Sequence, residues 1–318
     1  MKIGLLKVRL KILKTMKYVV TGGAGFIGKN IVKLLIKQNH EVEVVDNLHS
    51  GKLSNLEEIK DQIKFHESDI LDFKKMEKVC KDVDGIFHQA ALTVVQESYS
   101  KKEEYYKVNV KGTENIFILA KKYNFKVVFA SSSSIYGNTN SIPIKENFDR
   151  DPINPYGQTK LEDEYLAEKY WKMGVDIIGL RYFNVFGKDQ NISYAGVITK
   201  FLERILKNES PQIFGMGNQI RDFVFVEDVA QANIDGMKSD IKSGFFNVGT
   251  GTTISIKEIA EHMLKITNND IKPIYLDPLE GDILQSQADI QRIKNELKWM
   301  PKKGLKEWLE EIIPQLKI

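Results

Sequence analysis

Tyr156 and Lys160 are the two residues whose types and spacing best suit proton transfer in this chain. They follow Asn154 and Pro155, and a proline at this point predicts the start of a helix. Residues four apart on a helix share a face, one turn apart. A free tyrosine has a pKa near 10, and lowering it by about three units requires about 4 kcal/mol of preference for the phenolate. A lysine ammonium one turn away, together with a second cation, would supply much of that energy.

The same interval recurs nine residues later, in Tyr165 and Lys169. At 100° per residue, the helix places Tyr165 on the opposite side from Tyr156. Because Tyr156 adjoins the loop that precedes the helix, we predict that Tyr156 faces the site. Tyr165 is expected to pack against another helix.

A run of four serines, residues 131–134, directly follows the apolar run Val127–Ala130. The apolar run predicts a buried strand, so the hydroxyl groups would lie at its carboxyl end, where ligands bind in open α/β sheets. The alternative interpretation is a polar turn without a chemical role. The presence of Tyr156 and Lys160 favours the interpretation that a serine hydroxyl contacts a substrate.

Residues 21–28 read Thr-Gly-Gly-Ala-Gly-Phe-Ile-Gly, between a short apolar run and a stretch with apolar residues at helical spacing. Gly22, Gly25 and Gly28 therefore lie on a strand-to-helix turn. Such a turn lets the backbone approach a pyrophosphate closely at the N-terminus of the helix. The alternative, a flexible glycine loop, does not account for both flanking patterns.

Asp46 ends a second apolar run, Val42–Val45. A carboxylate at this point accepts hydrogen bonds from the ribose hydroxyls of an adenosine and repels a 2′-phosphate. The glycine turn and Asp46 together predict a dinucleotide site for NAD rather than NADP, although His49 and Lys52 are near in sequence.

Strand-like runs and helical patterns alternate along the first half of the chain. The strand-like runs are 17–20, 42–45, 63–66, 85–88, 127–130 and 175–180, and the helical patterns include 74–81 and about 103–123. This alternation predicts an α/β fold, a doubly wound parallel sheet, with a Rossmann domain over residues 16–180. Residues 181–318 are predicted to form a second, smaller α/β domain with helices at 197–206 and 256–266. This prediction leaves open that some segments of residues 181–318 belong to the first domain.

Composition excludes several classes of protein. The 318 residues are 42% hydrophobic and 28% charged, and Cys80 is the sole cysteine, which fits a reducing cytoplasm without disulfides. No stretch reaches the ~20 apolar residues that span a bilayer. The net charge of +3 is smaller than the five positive charges within residues 1–15, so the rest of the chain is slightly acidic. We therefore expect no nucleic-acid partner.

The basic N-terminal extension, residues 1–15, has three interpretations. It is a start upstream of Met16, a basic amphipathic segment that touches a membrane surface, or a poorly ordered extension. The first and third are favoured, because a ~15-residue segment has little membrane affinity by itself. The five histidines are isolated and lack ligand spacing, so no metal site is expected.

Jointly, these motifs resemble those of the extended short-chain dehydrogenase/reductases. The resemblance rests on residues 21–28, 46–48, 69–70, 88–91, Asn109 with 112–113, 131–137, and 155–157 with Lys160. Further motifs narrow it to the nucleotide-sugar 4-epimerase branch: 181–187, 221–223, 228–229 and 247–251. The resemblance runs from about Met16 to the end of the chain.

This resemblance implies a tightly held NAD, a UDP-sugar substrate and a homodimer built from two helices of each subunit, 103–123 and the helix from Tyr156. It implies that Tyr156 is the base, that Lys160 assists it and contacts the cofactor ribose, and that Ser132, with Ser133 as the alternative, binds the sugar O4. The cofactor-binding residues would be Gly22, Gly25, Phe26, Ile27, Gly28, Asp46, Asn47, Asp69, Ile70, Ala90, Ala91, Asn109, Tyr156 and Lys160. The substrate-binding residues would be Ser132, Ser133, Tyr156, Asn184, Arg221, Asp282 and Ser286.

The reaction implied is epimerisation at C4 of a UDP-hexose through a 4-keto sugar. Ser286 stands where a bulky tyrosine in the resembling enzymes restricts the sugar to UDP-glucose and UDP-galactose. A serine there predicts that UDP-N-acetylglucosamine and UDP-N-acetylgalactosamine are accepted. The competing interpretation is that Ser286 only caps a following helix.

Two departures from the family pattern stand out. Leu279 and Leu284 occupy positions that are usually basic, which leaves Arg221 as the matched cation for the diphosphate. The segment 93–98 also lacks a Pro-Arg pair. A UDP-uronic acid epimerase or decarboxylase and a non-catalytic NAD-binding sensor or scaffold remain as alternatives. Ser133 and Ser134 argue against a 4,6-dehydratase, which needs an acid pair there.

Overall fold

The computed structural model describes residues 14–139, 141–190, 196–279 and 281–316. The predicted N-terminal extension lies almost wholly outside these residues. The described chain forms the strands β1 Lys17–Thr21, β2 Glu41–Asp46, β3 Ile63–Glu67, β4 Gly85–His88, β5 Lys126–Ser132, β6 Ile177–Tyr182, β7 Asn184–Phe186, β8 Gln212–Phe214, β9 Ile220–Arg221, β10 Phe223–Phe225, β11 Ser243–Val248, β12 Ile254–Ser255, β13 Ile274–Leu276 and β14 Gln285–Ser286.

The α-helices lie between and after these strands. They are α1 Phe26–Lys37, α2 Phe73–Val79, α3 Val95–Ser100, α4 Lys102–Tyr105, α5 Gly112–Tyr123, α6 Pro155–Trp171, α7 Val197–Leu206, α8 Val226–Lys238, α9 Ile256–Ile266, α10 Gln291–Glu296 and α11 Leu305–Ile312. None of the helices in the described ranges has the length and apolarity that a membrane span requires.

Seven parallel strands form the main sheet, in the order β11-β6-β5-β4-β1-β2-β3. The order reverses between β1 and β4, which places a topological switch point at the carboxyl ends of these two strands. Side chains that alternate along β1 pack on opposite faces, Val20 against α1 and α8, and Val19 against α2 and α5. The predicted doubly wound α/β fold is confirmed.

Two segments beyond residue 180 complete this sheet. Strand β11 pairs in parallel with β6, Ser243 opposite Ile177, and α8 packs against α1. Strand β6 itself runs across the predicted domain boundary. Helix α10 also packs on the main sheet, with Ile293 in its core. Helices α7, α9 and α11 form a separate core, with Phe201, Ile259 and Trp308 in its interior.

The long helix predicted for residues 103–123 is interrupted. The chain is helical from Lys102 to Tyr123, but residues Tyr106–Lys111 form a π-helical segment between α4 and α5. Gly112 follows this segment, and its backbone lies very close to Ile70, since a Cβ at residue 112 would lie 2.3 Å from the Ile70 side chain. The wider turn brings Asn109 into the protein interior.

Candidate active site

A cavity of about 760 Å³ opens at the carboxyl ends of the parallel strands, between the main sheet and the C-terminal core. It brings together most of the residues predicted from the sequence: Gly22, Gly25, Phe26, Ile27, Gly28, Asp46, Asn47, Asp69, Ile70, Ala90, Ala91, Ser132, Ser133, Tyr156, Lys160, Asn184, Arg221 and Asp282. Asn109 and Ser286 do not line it.

The glycine turn between β1 and α1 forms one wall of the cavity. Gly22 has φ +67°, and a Cβ there would lie 2.7 Å from the Ala90 backbone nitrogen. A Cβ at Gly28 would lie 2.1 Å from the Gly22 carbonyl oxygen, so α1 packs directly on the turn. No described side chain caps the N-terminus of α1, which leaves its first N–H groups available to an anion. These features fit a dinucleotide pyrophosphate.

Asp46 lies at the end of β2 with its carboxylate held by the backbone. It accepts hydrogen bonds from the N–H groups of Ala24 at 3.0 Å and Leu48 at 2.8 Å. Burial raises the pKa of Asp46, and these two hydrogen bonds oppose the rise. The fixed carboxylate fits the ribose hydroxyls of an adenosine.

Asp69, the next acidic residue along this edge of the cavity, is also held by hydrogen bonds. Asn47 donates from Nδ2 to Asp69 at 2.9 Å, and Asp69 accepts a further hydrogen bond from the Leu71 N–H at 2.8 Å. These contacts hold the loops after β2 and β3 together along the cavity wall. Ile70, beside them, packs on the Gly112 backbone of α5.

The serines at the end of β5 differ in their contacts. Ser131 donates to Glu164 Oε1 at 2.7 Å, which directs its hydroxyl toward α6. The hydroxyl of Ser132 accepts a hydrogen bond from the Ser134 N–H at 3.1 Å and keeps its own proton available to a ligand in the cavity. Ser133 also lines the cavity. The geometry therefore separates a serine that supports α6 from serines that can meet a substrate.

Helix α6 carries the proposed base into the cavity. Asn154 caps the helix by accepting from the Gly157 N–H at 2.8 Å, and Pro155 occupies the first turn. Tyr156 and Lys160 both line the cavity. Lys160 is buried and its Nζ lies 3.1 Å from Asp163 Oδ2.

Tyr165 lies outside the cavity and is 45% exposed. The Arg150 guanidinium lies over its ring, 4.9 Å from the centroid. That Tyr165 packs against another helix stays a prediction. The two tyrosines thus lie on different sides of α6.

The far end of the cavity holds Arg221 and Asp282. Arg221 Nη2 donates to Asp282 Oδ1 at 2.5 Å, and Gln219 donates to Oδ2 at 3.2 Å. Burial lowers the pKa of Arg221, which Asp282 opposes. Asn184 donates to the Asp222 carbonyl at 3.2 Å and also lines the cavity. This end offers a guanidinium and amides to a polar ligand.

Leu279 and Leu284 differ in whether they line this end of the cavity. Leu279 lines the cavity, whereas Leu284 is 67% exposed and donates its N–H to Asn138 at 3.1 Å. Among the described lining residues, the lysine and arginine side chains are Lys160 and Arg221 alone. Within the described lining, the charge of lysine and arginine side chains is therefore limited to these two groups.

Asn109 and Ser286 have structural surroundings. Asn109 is fully buried and joins Leu92 to Thr159, accepting from the Leu92 N–H at 2.8 Å and donating to the Thr159 hydroxyl at 2.9 Å. Ser286 is buried on β14 and pairs in register with Arg221. Each reaches the cavity only through a neighbour.

Sequence reasoning missed the polar groups behind the site. Arg181 donates to both oxygens of Glu164, from Nε at 2.9 Å and Nη2 at 2.8 Å, with both side chains buried. Tyr182 lines the cavity and is held by Gln89 and Asn233. The spacing of Glu164, four residues after Lys160 on the same helix face, was the available signal.

Comparison with known proteins identifies the family. Residues 18–249 match the NAD dependent epimerase/dehydratase family. UDP-glucose 4-epimerase of Bacillus subtilis is 32% identical over 325 residues, and the match covers 92% of this chain and 94% of that protein. The chain belongs to the NAD dependent epimerase/dehydratase family, and the resemblance drawn from its motifs is confirmed.

Two solved structures are similar throughout. One is the UDP-N-acetylglucosamine 4-epimerase from Methanobrevibacter ruminantium M1 in complex with UDP-N-acetylmuramic acid, 39% identical, with a TM-score of 0.88 over 95% of this chain and 98% of that one. The other is the UDP-glucuronic acid 4-epimerase from Bacillus cereus in complex with UDP-glucuronic acid and NAD. It is 29% identical, with a TM-score of 0.88 over 95% of this chain and 100% of that one. The predicted NAD cofactor is confirmed.

Proposed function

We propose that this member of the NAD dependent epimerase/dehydratase family interconverts UDP-hexoses that differ at C4. UDP-N-acetylglucosamine and UDP-N-acetylgalactosamine are the first substrate pair, and UDP-glucose and UDP-galactose the second. One observation carries the proposal: Ser132, Tyr156 and Lys160 line the same cavity as the glycine turn and Asp46. A proton-transfer group and a dinucleotide site thus share one enclosed space.

Each residue has a distinct task in this proposal. Tyr156 removes the proton from the sugar O4 as the C4–H bond breaks, and returns it when that bond is remade on the other face. Ser132 donates a hydrogen bond to O4 and orients it. Lys160 stabilises the phenolate by its positive charge. Bound NAD would supply the acceptor and donor for the C4 hydrogen.

The far end of the cavity supports a UDP handle. Among the described residues, Arg221 is the cation at this end of the cavity, and a guanidinium is well suited to bind a diphosphate. When UDP binds, part of the contact between Arg221 and Asp282 would be replaced by contacts to phosphate oxygens. Asp282 would then be available to a ribose hydroxyl. A uronic acid would add a second anion at a site whose described cations are only Lys160 and Arg221. This charge count favours a neutral sugar.

Turnover of a panel of UDP-sugars, followed by NMR of the products, tests the proposal. We expect Tyr156→Phe to remove nearly all turnover while the protein stays folded, because the proton acceptor is lost. Tyr165→Phe is the matched control on the same helix, and its turnover should stay within a few-fold of wild type. The reverse pattern would contradict the choice of Tyr156.

The panel separates the alternatives as well. Turnover of UDP-glucuronic acid alone would contradict a neutral sugar. Binding of UDP-sugars without formation of any product would contradict the proposed epimerase activity and favour a role as a sensor.

We also propose that the chain forms a homodimer through α5 and α6. Exposed apolar side chains lie on or next to these helices: Ile118 on α5, Tyr165 on α6, Tyr106 in the π-helical segment before α5 and Met173 just after α6 are each 38–46% exposed. Lys169 and Glu114 join the two helices at 3.8 Å, which keeps this surface continuous. Light scattering should give twice the mass of one chain, and a monomer at high concentration would contradict the proposal.

A further inference from the structure

The ammonium of Lys160 is paired with a carboxylate that the steps above do not use. Its Nζ lies 3.1 Å from Oδ2 of Asp163, three residues further along α6, and the side chains of both are almost wholly buried. Among the described residues, Asp163 is the one acid within ion-pairing distance of Lys160. A buried cation beside the base therefore has a buried anion of its own.

The other charged groups near this pair already have partners or are neutral. Glu164 lies next to Asp163 on α6, but the Arg181 guanidinium holds both of its oxygens. His88 faces the pair from β4. Burial lowers the pKa of His88 to about 3, with a smaller effect of Lys160, so the ring is neutral at physiological pH.

Buried polar groups of the main sheet and α5 lie beside this pair. The two ring nitrogens of His88 lie 2.7 Å from the Thr21 hydroxyl and 3.0 Å from the Thr113 hydroxyl. Oδ1 of Asp163 is buried and has no hydrogen-bond partner among the described residues. The contact that holds the carboxylate is therefore the one between its Oδ2 and the Lys160 ammonium.

The Lys160 ammonium favours the ionised form of Asp163. Burial raises the pKa of Asp163 to about 6, and the charge and the hydrogen bond of Lys160 oppose that rise. Above that pH, Asp163 and Lys160 form an ion pair in the interior.

A buried ammonium without a counter-charge gives up its proton at a much lower pH than one in water. A neutral Lys160 has no charge with which to stabilise the phenolate of Tyr156. The charge of Asp163 therefore controls the charge of Lys160, which the proposed reaction needs.

We propose that Asp163 is a positioning residue for the proposed epimerisation, whose carboxylate keeps Lys160 protonated and holds its ammonium on the face of α6 that carries Tyr156. The link to turnover rests on the proposed function, whereas the ion pair itself does not.

The test compares Asp163→Asn with Glu162→Gln in the purified enzyme with its cofactor retained. Both changes remove one negative charge from α6, but Glu162 is less buried and contacts Gln158, away from Lys160. Competitive acetylation with acetic anhydride, read by peptide mass spectrometry, gives the pH at which each lysine becomes reactive. Lys172, exposed after the end of α6, is the internal reference.

In Asp163→Asn we expect Lys160 to lose its proton about 1–3 pH units below wild type. The alkaline limb of the kcat/KM profile should move in the same direction. Lys172 should not change in either variant, and Lys160 should not change in Glu162→Gln. An unchanged Lys160 in Asp163→Asn, or an equal shift in both variants, would overturn the proposal.

Wild-type protein provides a second test should Asp163→Asn fail to fold by circular dichroism. Lys160 should then become reactive at no lower pH than Lys172, although burial alone would make it reactive at a lower pH. Earlier reactivity of Lys160 overturns the proposal. A shifted Lys160 in an enzyme that converts no UDP-sugar would refute the proposed function and support the ion pair.

Discussion

Replacement of Glu164 by glutamine probes the ion pair that ties α6 to the main sheet. Glu164 accepts two hydrogen bonds from Arg181 on β6, a third from Ser131 on β5 and a fourth from Arg150, at 2.7–3.1 Å. The side chains of Glu164 and Arg181 are both buried. A neutral amide would keep the shape of the side chain but leave the guanidinium without its buried counter-charge.

The magnitude follows from what Arg181 retains. Loss of one partner of a buried ion pair costs about 3–5 kcal/mol. Arg181 keeps the Tyr136 hydroxyl at 2.7 Å and the Glu146 carbonyl at 2.8 Å on Nη1, so we expect the lower end, about 3 kcal/mol of unfolding free energy. At roughly 2 °C per kcal/mol for a chain of this size, the melting temperature should fall by about 6 °C.

Glu168→Gln is the matched control. Glu168 lies one turn further along α6 and accepts from Arg150 at 2.9 Å, but its side chain is 36% exposed. Exposed pairs contribute about 0.2–1 kcal/mol, so its melting temperature should change by no more than about 2 °C. Scanning calorimetry of both variants gives the comparison. Equal losses, or no loss in Glu164→Gln, would refute the assigned role of the buried pair.

Two further predictions concern His88 and Ser286. Because burial lowers the pKa of His88 to about 3, the unfolded chain binds a proton between about pH 6.5 and 3 that the folded protein does not, so stability falls as the pH falls. In urea unfolding, the loss between pH 6.5 and 4 should be about 3 kcal/mol smaller in His88→Asn than in wild type, and equal losses in the two proteins would contradict this. Ser286→Tyr should lower kcat/KM for UDP-N-acetylglucosamine at least about tenfold more than for UDP-glucose, because a bulky tyrosine at this position in the resembling enzymes restricts the sugar to UDP-glucose and UDP-galactose. Since Ser286 pairs with Arg221, equal loss on both sugars would show that the change acts through Arg221 instead.

Local patterns predicted the elements that place the site. Helices α7 and α9 have the predicted bounds, since each has apolar residues at helical spacing and α9 begins with a capping box of Ser255 and Glu258. The strand ends after β1, β2 and β5 were located by short apolar runs that stop at glycine, aspartate or serine. Residues that act at the carboxyl ends of parallel strands were therefore predictable as a group.

Non-local contacts were not predictable in this way. The partner of β11 is β6, whose first residue lies 66 positions earlier, and nothing in either segment specifies that pairing. Helix α6 has many charged residues and reads as a solvated helix, yet Asp163 and Glu164 are fully buried. Each acid is buried together with a cation, Asp163 with Lys160 and Glu164 with Arg181. Arg181 lies on β6, so the pattern of α6 does not reveal it.

Register also decided where two predicted residues lie. Asn109 falls within the π-helical segment, and a helix of constant pitch would have turned it differently. Ser286 lies on a strand of two residues, too short for an alternating pattern to indicate which side chain faces the cavity. Short or irregular elements carry too little periodic signal for such an assignment.

The path of the chain between its two cores limits how the enzyme can be re-engineered. After β6 the chain enters the C-terminal core, returns for α8 and β11, leaves again for α9, returns for α10, and leaves a third time for α11. The C-terminal core is therefore built from three separate segments attached to a single scaffold. An exchange of this core with that of a relative must graft all three, whereas a single cut at residue 180 would remove the edge strand β11 and the helix α8 that belong to the scaffold.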